Sequence, residues 1–390
     1  MKLTRQFSEF IQSEQTQGLV LVFATIASLL LANSSIQVDY IGMWHTDLGS
    51  HSAIHWINDG LMAIFFLHIG LELVREINIG ELSNFKKASL PVIGALGGIT
   101  VPALIYLAFN YGTPTQSGVG IPMATDIAFA VGILAILKNR VPTALKIFLI
   151  ALAVIDDLVA ILMIAVFYTK SLSWDNLFIS LGIFAVLIVL NRLKVKNILI
   201  YLIGGVAMWY FMLHSGVHAT ITGILLATVI PFNHGTEESS FHKLQHALHM
   251  PVAFVILPLF AMANTCIAIS ADWQEGLTHS NSLGIIAGLV LGKPIGIFLF
   301  AVLGASIGWC TLPTRVAWKH ILSVGFLGGI GFTMSIFITL LAFNDHEIID
   351  GSKMAILLAS TIAGILGIIM LRLTTRDYVE IDDDSSEEMV

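Results

Sequence analysis

Residues 143–168 read TALKIFLIALAVIDDLVAILMIAVFY, and between Lys146 and Tyr168 the only polar residues are the adjacent pair Asp156 and Asp157. A helix needs about 20 mainly apolar residues to cross the hydrocarbon layer of a bilayer. This run is long enough, so it is read as a membrane span with two acids in its interior. Lipid offers no partner to a peptide group, and a helix satisfies its own. The fold class that follows is an all-α integral membrane protein.

The rest of the chain agrees with that reading. Of its 390 residues 56% are hydrophobic and 12% charged, where a soluble domain carries about 25% charged residues. The mean hydropathy is +0.86. Disordered, fibrous and nucleic-acid-binding proteins need polar or basic surface that is absent here. Cys266 and Cys310 both lie beside apolar runs and offer neither a disulfide framework nor a metal knuckle. The net charge of -7 comes largely from the last fourteen residues, which hold seven acids. Residues 377–390 therefore read as a disordered, acidic cytoplasmic tail behind a single membrane domain of residues 1–376.

Scanning with the 20-residue ruler gives twelve candidate spans, with cores at 18–33, 54–73, 88–109, 121–137, 143–168, 177–190, 198–213, 217–230, 248–269, 283–303, 321–343 and 354–371. Loop charge is an independent check, because cytoplasmic loops collect Lys and Arg. One side holds Lys2, Arg5, Arg75, Lys86, Lys87, Lys138, Arg140, Lys146, Arg192, Lys194, Lys196, Lys243, Arg315, Lys319, Arg372 and Arg376, sixteen of nineteen basic residues. The other side holds Lys170 and Lys353. Twelve spans with both termini cytoplasmic are expected. Glu9 and Glu14 spoil the basic leader of a signal peptide, so the first apolar run is expected to stay.

The nineteenth basic residue, Lys293, lies inside the tenth span, and Asp126 inside the fourth. Each of these four buried charges costs about 2.5–3.5 kcal/mol at the bilayer centre, together about 10–14 kcal/mol, comparable to the stability of a whole domain. Structural ion pairing is the plainer explanation, but three acids and one base cannot all pair. An excess carboxylate in a low dielectric must hold a proton or a cation, and Asp156 and Asp157 should titrate as a coupled pair. A site that chooses between protons and a cation is the minimum machinery of an antiporter. Hard cations take oxygen ligands, which the two carboxylates and the Thr125 hydroxyl supply.

Helix breakers point to the same place. Gly118, Gly120 and Pro122 precede Thr125 and Asp126 in the fourth span, and Gly325, Gly328, Gly329 and Gly331 interrupt the eleventh. They lie seven spans apart, an odd number, so they run in opposite directions, as inverted-topology repeats would make them. Interrupted spans at corresponding positions of two repeats mark a transporter's substrate site. If both break at mid-depth, Asp126 offsets the positive helix ends and Lys293 the negative ones. Close helix packing is the competing reading for Gly325 to Gly329.

The chain resembles the NhaA sodium/proton antiporters over essentially its full length. The resemblance rests on Trp56-Ile57-Asn58-Asp59-Gly60, Gly70-Leu71-Glu72 with Arg75, Ala124-Thr125-Asp126-Ile127-Ala128-Phe129-Ala130, Ala153-Val154-Ile155-Asp156-Asp157, Ser215-Gly216-Val217-His218-Ala219-Thr220, Gly292-Lys293-Pro294 and Gly329-Ile330-Gly331-Phe332-Thr333-Met334-Ser335, in the family's order. The rule on interrupted spans was itself drawn partly from such proteins. The resemblance implies Asp157 as principal cation ligand, Asp156 as partner of Lys293, and Thr125 and Asp126 at the crossing of the fourth and eleventh spans. It further implies exchange of two protons for one Na+ or Li+ across a bacterial inner membrane, for pH and sodium homeostasis, with no cofactor. Glu72 and Arg75, with a histidine-bearing stretch before the ninth helix, would lie near a cytoplasmic funnel linked to pH activation. That stretch is Leu244-Gln245-His246-Ala247-Leu248-His249, with Gln245 where some members carry a glutamate.

Glu72, Arg75 and Glu76 read equally as a helix-end ion pair. His234, His242, His246 and His249 are candidates to retune the pH response, since imidazole as a side-chain type titrates near neutrality, or they simply line a solvated loop. His218, inside the eighth span, is a sensor or a hydrogen-bonded helix contact. Asp59 and Asn58, near the outer end of their span, fit a structural or a cation-access role. The family often places a β-hairpin for homodimer contact between its first two spans, and residues 36–53 look short for one. The expected partners are thus sodium or lithium ions, protons, the lipid bilayer and a second copy, with no nucleic acid. An intramembrane aspartyl protease would need Gly-x-Gly-Asp and Tyr-Asp, His346-Glu347-Ile348-Ile349-Asp350 lacks the second histidine of a zinc protease, and Ser215 is not in Gly-x-Ser-Gly. An enzyme is not expected. A sodium-coupled symporter of a small organic solute is the alternative, and it would need a larger polar pocket.

Overall fold

A computed structural model describes residues 14–137, 141–168, 172–232, 239–269, 273–313 and 316–375. The acidic tail, His234 and several of the loop lysines and arginines used in the charge count lie outside the described residues.

The chain is nearly all helical. Helix α1 (Glu14–Ala32) and the short α2 (Gln37–His45) lead to a small hairpin of β1 (Asp47–Leu48) and β2 (His51–Ser52). Then follow α3 (Ala53–Asn78), α4 (Phe85–Asn110), a 3-10 segment (Gln116–Met123), α5 (Ile127–Ile136), α6 (Thr143–Phe167), α7 (Trp174–Arg192), α8 (Ile198–Leu213) and α9 (Ile221–Val229). The second part holds α10 (Ser240–Asn264), α11 (Ser280–Ile307), α12 (Trp318–Gly328), α13 (Phe332–Ala342) and α14 (His346–Thr374). Polar side chains mark several helix starts: Asn84, Asn197, Ser239 and Asp345 each accept a hydrogen bond from a backbone N–H in the first turn.

Among the described residues nine helices are long and apolar enough to cross a membrane, and the bent pair α12 and α13 raises the number to ten. Of the remaining two candidates, α8 has the expected bounds but falls short of a full span, and α9 is shorter than expected. Helix α8 has 16 residues, and α9 has nine and begins at Ile221 rather than Val217. Gly216 at φ 84° turns the chain, and His218 lies in the non-helical stretch after it, not in a helix. The hairpin corrects the expectation that residues 36–53 are too short for one: Asp47 pairs with Ser52 and Leu48 with His51, turning through Gly49 at φ 81°. Only two residues per strand are needed, and the nine residues Gln37–His45 before them still form α2.

Helices approach closely where side chains are absent. In α4 and α11, a Cβ placed on Gly97 would collide with the backbone oxygen of Gly296, and one on Gly296 with that of Gly97. Gly223 of α9 lies likewise against the backbone of α3. Such contacts are how helices associate in lipid, where apolar burial offers little drive. The lipid-facing surface stays apolar, with Phe23, Leu30, Val166, Phe178 and Ile203 among the exposed side chains.

Both breaker-rich stretches interrupt their helices. Gly118, Gly120 and Pro122 give a 3-10 turn in place of an α-helix, and Ala124 to Asp126 are non-helical before α5 begins. Helices α12 and α13 bend by 48° across Gly329 to Gly331. The two breaks touch: the Asp126 N–H donates to the Ile330 carbonyl at 2.7 Å, and the Ser335 hydroxyl to the Ile121 carbonyl at 2.7 Å.

Candidate functional site

Where these breaks meet, four helix ends lie together and their unpaired backbone groups need partners. Asp126 serves both N-termini. One carboxylate oxygen accepts from the Phe129 N–H of α5 at 3.0 Å, and the other accepts from the Thr333 N–H of α13 at 3.0 Å and from the Thr333 hydroxyl. A carboxylate suits this place because both ends carry partial positive charge. The C-terminal ends are met by donors. Lys293 Nζ donates to the Met123 carbonyl at 2.6 Å, and the Thr125 hydroxyl lies 2.8 Å from the Gly328 carbonyl.

Helix α6 passes beside the crossing and brings in the aspartate pair. Lys293 forms an ion pair with Asp156 Oδ2, and Thr125 Oγ1 lies 2.7 Å from the same oxygen. A hydroxyl has one proton, so Thr125 serves either Asp156 or Gly328 at any moment. Asp126, Asp156, Asp157, Lys293, Thr125 and Thr333 are all at most 2% exposed. Consecutive residues of a helix point about 100° apart, and the two acids accordingly have different surroundings. Asp156 faces the lysine. Asp157 instead lines, with Asp126 and Thr333, a funnel of about 680 Å³, and its Oδ1, like that of Asp156, is buried with no hydrogen-bond partner among the described residues. With three carboxylates and one ammonium, the site has negative charge to spare.

One face of α3 lines the funnel wall with Phe65, His68, Ile69, Glu72 and Arg75, and α10 supplies Gln245, His246 and His249 opposite. Glu72, Arg75, His246 and His249 thus share one cavity with Asp157, and Gln245 shares it too. Arg75 pairs with Glu76 at 3.0 Å, and Glu76 also accepts from the Glu81 N–H at 3.1 Å, as a helix-end pair does. The other three expected residues lie away from the funnel. His218 Nε2 is 3.1 Å from the Tyr168 carbonyl, Asn58 exchanges side-chain hydrogen bonds with Asn264 at 2.8 and 3.3 Å, and Asp59 pairs with His55 at 3.2 Å.

Sequence reasoning missed the work of Thr333, although its motif was noted. A hydroxyl residue just after a glycine break is a helix-start signal that could have found it. It also missed His68, whose signal was a lone imidazole in an apolar run, one helical turn before Glu72.

The family profile described as Na+/H+ antiporter 1 matches residues 8–371, a stretch that contains every residue of this site. The chain belongs to this Na+/H+ antiporter family. Among its relatives, Na(+)/H(+) antiporter NhaA 1 of Flavobacterium johnsoniae is 63% identical over 372 residues, covering 95% of this chain and 98% of that protein. Na(+)/H(+) antiporter NhaA of Flavobacterium psychrophilum is 60% identical over 379 residues, 97% of this chain and 99% of its own. A protein of the same name from Dechloromonas aromatica is 57% identical over 374 residues, 95% and 96% of the two chains. Membership in this antiporter family makes the protein a multi-pass membrane transporter and not an enzyme. The buried Asp157 therefore needs no catalytic explanation.

Proposed function

We propose that this protein is a secondary active antiporter that moves Na+ or Li+ out of a bacterial cell in exchange for protons, using the Asp156 and Asp157 site. The observation that carries the reading is the asymmetry of the pair. Asp156 is paired with Lys293, and Asp157, equally buried, forms no ion pair among the described residues and lines the funnel. An unneutralised carboxylate at that depth binds either a proton or a cation. Protons and Na+ then compete for one set of oxygens, and each displaces the other.

Exchange follows if the loaded site opens alternately to the two sides of the membrane and the empty charged site does not. No ATP, cofactor or covalent intermediate is needed. Asp126 and Thr333 tie the two helix breaks together, so movement of α5 with α13 would carry the crossing as a unit. The resemblance supplies the stoichiometry of two protons per Na+, twelve spans in inverted repeats with both termini cytoplasmic, and the inner membrane. In that topology α8 and α9 complete the count despite their length, and the funnel opens to the cytoplasm. Glu72, Arg75, His246 and His249 would then adjust the pH response, and the outer hairpin would meet a second copy in a homodimer.

The test is proton movement in acidified inside-out vesicles. Adding NaCl or LiCl should alkalinise the interior of wild-type vesicles, KCl should not, and Asp157→Asn should lose the response while the protein still inserts and purifies intact. Equal responses in wild type and Asp157→Asn would remove the site assignment.

A further inference from the structure

His68 takes no part in the exchange chemistry, yet it is 8% exposed, lines the funnel, and its Nδ1 is buried with no hydrogen-bond partner among the described residues. Facing it from α10 is His249, with the two ring centroids 5.6 Å apart. Zinc–imidazole bonds are about 2.0–2.1 Å, so two rings on one tetrahedral metal have centroids roughly 5 Å apart. A movement of a few tenths of an ångström closes the difference. The side chain of Gln17 lies 2.9 Å from His249 Nε2. Its amide N–H donates there, so this ring nitrogen carries a lone pair, which a metal would take by displacing the Gln17 amide. Glu72, one helical turn from His68 on the same face of α3, lines the same cavity. Among the described residues no three such side chains already converge; a rotation of Glu72, or water, completes the set.

We propose that His68 and His249, completed by Glu72, form a binding site for a borderline-soft divalent cation such as Zn2+, and that filling it blocks the funnel above Asp157. Imidazole and carboxylate are the ligands such ions take, and a hard monovalent cation prefers oxygen alone. The site would thus ignore Na+ and answer to transition metals on one side of the membrane. Its inhibitory half rests on the proposed reading of the funnel as the cytoplasmic entrance, whereas its binding half does not.

Two measurements on the full chain keep these apart. In calorimetric titration of the purified protein with ZnCl2, wild type should bind one equivalent. His68→Leu and His249→Gln should each bind at least about 10-fold more weakly, since even loss of an outer-shell partner costs about 10-fold or more. Two variants are used so that one that fails to fold does not decide the matter. Absence of zinc binding in wild type, or equal binding in folded variants, overturns the proposal. In vesicles, zinc added to the exposed cytoplasmic face of inside-out preparations should inhibit Na+-dependent proton movement, and zinc outside right-side-out vesicles should not. Each variant should lose that sensitivity relative to its own zinc-free rate. Equal inhibition from both faces overturns the blocking mechanism. If wild type shows no Na+-dependent proton movement at all, the exchange reading fails, and calorimetry still decides the site.

Discussion

Asp156 and Asp157 are neighbours in sequence and opposites in environment, which makes Lys293 the informative residue to change. Lys293→Met leaves Asp156 buried without its ammonium partner and leaves the Met123 carbonyl without a donor. Removing one member of a buried pair costs about 3–5 kcal/mol, whereas replacing both is often close to neutral. Thermal unfolding in detergent should therefore show Lys293→Met well below wild type, and Lys293→Met with Asp156→Asn recovering much of the loss. A double variant no more stable than the single one would mean that the pair does not hold Lys293 in place. The charged residues of the site were legible in the sequence because a charge in an apolar run has no inexpensive explanation. Thr333 and His68 were not, since either residue type occurs in many helices without a role. The carbonyls of Met123 and Gly328 leave no trace in the sequence, because every residue has one.

At the scale of elements, helix packing sets how much change the fold tolerates. Gly296 of α11 lies against the backbone of Gly97, and a Cβ there meets the Gly97 carbonyl rather than a movable side-chain tip. Overpacking costs about 1–3 kcal/mol where side chains can adjust, and backbone cannot adjust as easily. Gly296→Val should lower the melting temperature and the yield of folded protein. Gly276, with open space around it, should accept Ala without loss. Similar melting temperatures for the two would contradict the close approach. Glycine and proline disclosed both helix breaks from sequence, since their backbone preferences are intrinsic. Hydropathy did not disclose the extent of the elements. It counts a 3-10 turn or a non-helical stretch such as 216–220 as apolar all the same, and so it lengthened the eighth span. The hairpin at Asp47 to Ser52 was hidden for the opposite reason, since two-residue strands are too short to show alternation.

The whole molecule adds a constraint that no single residue carries. The proposed exchange of two protons for one cation would move one net charge per cycle, which a potential of 100 mV biases by about 2.3 kcal/mol. Two protons entering as one Na+ leaves carries positive charge inward. An inside-negative potential imposed on right-side-out vesicles with K+ and valinomycin should therefore accelerate Na+ efflux, and an inside-positive one should slow it. Rates indifferent to potential would mean electroneutral exchange and a different stoichiometry. Competition between protons and Na+ at Asp157 is the claim on which the rest depends, and calorimetry of Na+ binding to the purified protein tests it most directly. Repeated in buffers of different ionisation enthalpy, it should report protons released as Na+ binds, weaker binding as pH falls, and no binding in Asp157→Asn. Na+ binding that releases no protons, or that survives in Asp157→Asn, would contradict it.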